Sequence, residues 1–115
     1  MKELFNNIGK YLPLKIDFCQ IEEYFISFGS KEWSFYSDSS WRIVKDGRIL
    51  FSDENFNSKK IIEIFKSNEV LSISPLTSDN LDPVLKLSNS YELQLFSKTT
   101  NEPWKVSLSD IVFVP

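Results

Sequence analysis

The sequence predicts an α+β, mostly β fold: a duplicated antiparallel β-meander, about four strands in each half, forming one sheet or a sandwich with one or two short helices. Three observations carry that expectation. Ten phenylalanines, three tryptophans and four tyrosines accompany three glycines and no alanine, a bias that suits a pleated, half-buried surface. Apolar and polar residues alternate with period two along most of the chain. The order of elements then repeats at an offset of about 60 residues. At 115 residues the chain has the length of a single domain, spanning 1–115.

The elements follow in order. Leu4, Phe5 and Ile8 stand at helical spacing in the stretch Lys2 to Lys10, which Gly9 and two asparagines keep short. Leu14, Ile16 and Phe18 alternate with polar residues, a polar break spans Gln20 to Glu23, and Tyr24, Ile26 and Phe28 form the next strand. Gly29-Ser30 turns the chain into Trp33 and Phe35, and Ser37 to Ser40 turns it into Trp41 to Val44. Asp46-Gly47 is the strongest hairpin signal, because both central residues of a type I′ turn need positive φ. After the linker 52–57, Ser58 to Lys66 reads as an amphipathic helix with Asn57 or Ser58 as its cap. Leu71 and Ile73 alternate up to Pro75, and a polar loop from Thr77 to Pro83 leads to Val84 to Leu87. Strands then follow at Tyr91 to Leu95, Trp104 to Leu108 and Ile111 to Val114, with a loop from Ser97 to Pro103.

Setting residues 3–51 beside 58–114 matches Glu3-Leu4-Phe5 with Glu63-Ile64-Phe65, and Leu14 and Ile16 with Leu71 and Ile73. The segment Glu32 to Ser37 matches Glu92 to Ser97, and Trp41-Arg42-Ile43 matches Trp104-Lys105-Val106. The repeated tryptophans are expected at a core or lid position, each with a solvated cation beside it.

Composition restricts the chemistry. With no histidine and one cysteine, Cys19, the chain cannot supply a Cys/His zinc site, a catalytic triad or a histidine acid/base. No acidic metal-binding motif occurs, and three isolated glycines make no phosphate loop, so neither a metal nor a cofactor is expected. Cys19 has no basic neighbour nearer than Lys15 and is expected to be buried and inert. A net charge of -3 disfavours nucleic acid and anionic lipid as partners. The N-terminal stretch has no continuous apolar region and no segment has the length of a membrane span, so a soluble cytoplasmic protein is expected. Surface recognition is what remains. Glu22, Glu23, Asp38, Asp53, Glu54, Asp79 and Asp82 lie in turns and linkers and are the candidate contacts to a basic partner. Turn chemistry alone accounts for Asp38 and Asp46, whose side chains can bond the nearby backbone.

The second half, with Leu85 to Ser90, the alternating strand Tyr91 to Phe96, Ser97 to Asn101 and then Glu102-Pro103-Trp104-Lys105-Val106, resembles a family of small β-rich bacterial proteins. These are immunity proteins encoded beside polymorphic or contact-dependent growth inhibition toxins. The resemblance covers roughly residues 70–108, and more loosely the first half through Phe28 and Trp41-Arg42-Ile43. Ser90 departs from the pattern, standing where a glycine is usual, so that turn is expected to differ. The resemblance implies a non-enzymatic protein that neutralises a cognate toxin domain, such as a basic nuclease, by covering its active or substrate-binding surface. Glu102, Pro103 and Trp104 carry over only as structural positions. A regulatory or chaperone-like homodimer, paired through the strand Ile111 to Val114, is the alternative, and a carboxylate-based enzyme is third.

Overall fold

The computed structural model describes residues 2–77, 82–96 and 103–115. Two antiparallel sheets and two helices enclose one core. The elements are α1 (Lys2–Gly9), β1 (Leu14–Lys15), β2 (Phe18–Glu22), β3 (Phe25–Gly29), β4 (Trp33–Ser37), β5 (Ser40–Lys45), β6 (Arg48–Ser52), α2 (Ser58–Phe65), β7 (Glu69–Pro75), β8 (Pro83–Leu87), β9 (Tyr91–Phe96), β10 (Trp104–Leu108) and β11 (Ile111–Phe113). The expectation of an α+β, mostly β fold is met, in the form of a sandwich.

Local signals behave as the chemistry requires. Asp46 and Gly47 both take positive φ, 52° and 77°, and join β5 to β6. Asn57 caps α2, its side chain accepting from the Lys60 amide at 3.1 Å, and Ile61 and Phe65 form the buried face of the helix.

Strand order is where the fold exceeds the pattern. One sheet runs β1-β7-β8-β9-β5-β6 and the other β11-β10-β4-β3-β2. When β2 to β6 are matched in order with β7 to β11, each sheet becomes the other, with β1 left over. Three strands of one half are completed by the closing hairpin of the opposite half: β5-β6 pairs onto β9, and β10-β11 pairs onto β4. The helices follow the same exchange, α1 packing against β7 and α2 against β2. Neither half owns a sheet. Register departs from the residue matching, since Trp41 stands opposite Leu95 while Trp104 stands opposite Ser37 and not Phe35. A shift of two residues preserves the faces, so both tryptophans remain buried.

Four details of the sequence expectation need correction. The run from Leu14 to Phe18 is not one strand: β1 pairs with β7 in the first sheet, and the chain then crosses so that Asp17 N donates to the Gly29 carbonyl beside the second. β2 takes the place corresponding to β7, so the match of Leu14 and Ile16 to Leu71 and Ile73 falls on the wrong element. The polar stretch Gln20 to Glu22 lies within β2, whose edge position tolerates polar side chains, and the turn is confined to Glu23 and Tyr24. Leu71 does not share a face with Ile73. The register with β8 shifts between Val70 and Ser72, which buries Val70 and leaves Leu71 half exposed.

Ser90 adopts φ 72°, the left-handed backbone that glycine takes without a Cβ penalty. Ser90→Gly is expected to stabilise the fold by about 0.5–1 kcal/mol, relief of strain exceeding the added chain entropy. The check is a higher urea midpoint at unchanged slope.

Candidate partner-binding end

Alternate connections of an antiparallel path return to the same end of a sheet, and this geometry gathers the acids. Glu22 pairs opposite Phe25 at the β2–β3 turn, and Ile26 opposite Ser37 brings that turn beside the β4–β5 crossing. Ser40 stands opposite Phe96 and Arg42 opposite Ser52, which places Asp53 and Glu54 at the same end of the facing sheet. Pro83 pairs with Pro75 and Val84 with Gln94, so Asp82 enters β8 there as well. Glu22, Glu23, Asp38, Asp53, Glu54 and Asp82 thus share one end of the sandwich. Asp79 lies outside the described residues, as does Glu102.

The connections 22–25, 37–40 and 52–57 contain no lysine or arginine. Among the described residues, the carboxylates of Glu22, Glu23, Asp38, Asp53 and Glu54 have no ion pair or hydrogen bond. They are spread along the rim and form no group able to hold a metal ion among the described residues. Five uncompensated charges in one region make a negative field that acts on a basic partner over a Debye length, about 8 Å at physiological salt. On contact they accept charge-assisted hydrogen bonds from arginine and lysine.

The scaffold beneath is closely hydrogen-bonded and packed. Ser37, fully buried, donates its hydroxyl to the Pro103 carbonyl at 2.8 Å and accepts from the Ser39 amide at 3.0 Å. Ser39 donates to the same carbonyl at 3.2 Å, so the β4–β5 crossing is tied to the start of β10 at this end. The backbone at the Asp38 turn is thus bonded by Ser37 and not by Asp38. A hydroxyl one residue earlier replaces the aspartate turn expected from sequence, and the Asp38 carboxylate faces outward. Phe25 stacks on Tyr36 at 5.6 Å beneath the β2–β3 turn, and Trp41 packs on Phe56 at 5.6 Å beneath the linker. Asp53 N donates to the Trp41 carbonyl.

Sequence reasoning placed Tyr24 inside a strand and missed its role at this end. It sits in the turn directly after Glu22 and Glu23, and 77% of its surface is exposed. An aromatic following two acids in a polar stretch was the available signal. Large exposed aromatics are the side chains that interfaces use as anchors.

The other singled-out residues are structural. Trp104 is buried directly after Pro103. Lys105 is exposed near the Tyr36 ring, whereas Arg42 is not simply solvated: its Nε donates to Gln94 Oε1 at 2.6 Å and its guanidinium lies 4.5 Å from the Phe96 ring centre. Burial pushes the Cys19 thiol up to about 12. At neutral pH it stays protonated and a poor nucleophile. Iodoacetamide is expected to leave the folded protein unmodified at pH 8 and to alkylate it once in denaturant, as read by intact mass.

No helix among the described residues is long and apolar enough to cross a membrane. Comparison of the chain with protein-family models, with curated proteins and with solved structures finds no match.

Proposed function

We propose that this protein is an immunity protein that binds a cognate bacterial toxin domain and neutralises it by covering the toxin's active or substrate-binding surface. One observation carries the proposal. The fold gathers six acidic residues and the exposed Tyr24 at one end, on connections without a basic residue among those described. A toxin that acts on nucleic acid must itself present a basic groove, and an acidic end with an aromatic anchor is complementary to it. The sequence has no histidine and a single cysteine, which fits inhibition by occlusion. Co-expression with the product of the neighbouring gene is the test. Growth is restored and a one-to-one complex is isolated if the proposal holds; persisting toxicity with no complex ends it.

A further inference from the structure

The side of the molecule around α2 carries a hole and a knob of matching chemistry. The hole is a groove of about 510 Å³ between α2 and the edge strand β6, walled by Leu50, Phe51, Ile64 and Tyr91 and including Lys60 and Glu63. It runs along α2 from Lys60 in the first turn of the helix to Tyr91, which begins β9 across from Lys45 at the β5–β6 hairpin. The knob is Tyr24. Because α2 packs against β2, and Tyr24 lies just beyond the end of β2, knob and hole flank the same helix.

Charge on this side is complementary to itself. α2 and its cap carry Lys59, Lys60 and Lys66 against a single acid, Glu63, and none of these forms an ion pair among the described residues. The knob is preceded by Glu22 and Glu23, equally unpaired. Two copies placed side by side and antiparallel bring each acidic turn to the other's basic helix, so the contact occurs twice and closes.

We propose that this side is the interface of a two-fold dimer of the chain, in which Tyr24 of each copy fills the α2–β6 groove of the other and Glu23 meets Lys60. Side chains make the contact and not strand pairing. The register shift at Leu50, together with the hydrogen bonds between Ser52 and Asn55, interrupts the free edge of β6. The edge strand β11 exposes Ile111 and Val112, but at three residues it is too short to pair extensively with a second copy. The dimer covers Glu22 and Glu23, so a second copy and a basic partner compete for them.

Sedimentation velocity across a concentration series tests the dimer on the chain alone, so its failure leaves binding of a toxin untouched. Tyr24, Glu23 and Lys60 are exposed, and replacing them leaves the core intact. The wild-type protein is expected to show a reversible monomer–dimer equilibrium, weakened about tenfold or more by Tyr24→Ser or by Lys60→Glu. Lys60→Glu combined with Glu23→Lys recovers association. A wild-type monomer at every concentration, a dimer unmoved by Tyr24→Ser, or a double variant no stronger than the single ones overturns the proposal.

Discussion

Trp104→Ala is expected to cost about 3–5 kcal/mol of folding stability, the range for removing a fully buried large aromatic. Trp104 is 1% exposed and lies 6.0 Å from the Phe5 ring and 6.2 Å from the Phe35 ring, so it packs α1 to the second sheet from within. It also opens β10, the strand that carries the second half's hairpin onto β4. The cavity therefore falls where the two halves interleave, and relaxation cannot close it without disturbing both. Urea unfolding measures the loss. A change below about 1 kcal/mol would mean that the site is not packed as described.

Reversing the acidic end has its effect elsewhere. Glu22→Lys, Glu23→Lys, Asp53→Lys and Glu54→Lys combined are expected to slow association with the proposed toxin partner by about 10- to 1,000-fold at low ionic strength. The difference shrinks as salt is added. These side chains lie at the rim and have no partner within the fold among the described residues, so stability should move by no more than about 0.5 kcal/mol per site. Stopped-flow association at several salt concentrations, alongside urea unfolding of the same variant, separates the two quantities. An unchanged association rate would remove the acidic end from recognition.

Much of the fold was legible because it is local. Asp46-Gly47 dictates its hairpin through backbone conformation, and Asn57 announces α2 by capping it. Alternation identified the buried faces of β4, β5, β9 and β10 for the same reason: it reports which way a side chain points. It does not report which strand lies alongside. Hence the exchange of hairpins between the halves was not visible, nor was the crossing of the chain between sheets at Ile16 and Asp17. The reversal at Leu71 escaped because one extra residue in a strand inverts every face beyond it, and no residue type marks the place.

The candidate acids were found one by one from turn composition, and their convergence is a property of the path. The turns at Glu23, Asp38 and Asp53 alternate with those at Ser30, Asp46 and Ser67, so an up-and-down chain collects the first set at one end. Tyr24 was hidden because an aromatic beside a strand reads as core until the turn is located.

The central claim is that this acidic end meets the partner. Hydrogen–deuterium exchange of the protein, free and bound to the proposed toxin domain, addresses it most directly. Protection on binding is expected in residues 22–25, 37–40 and 52–57, with the β5–β6 and β8–β9 turns at the far end exchanging as they do in the free protein. Protection confined to that far end, or to the outer faces of the sheets, would contradict the account.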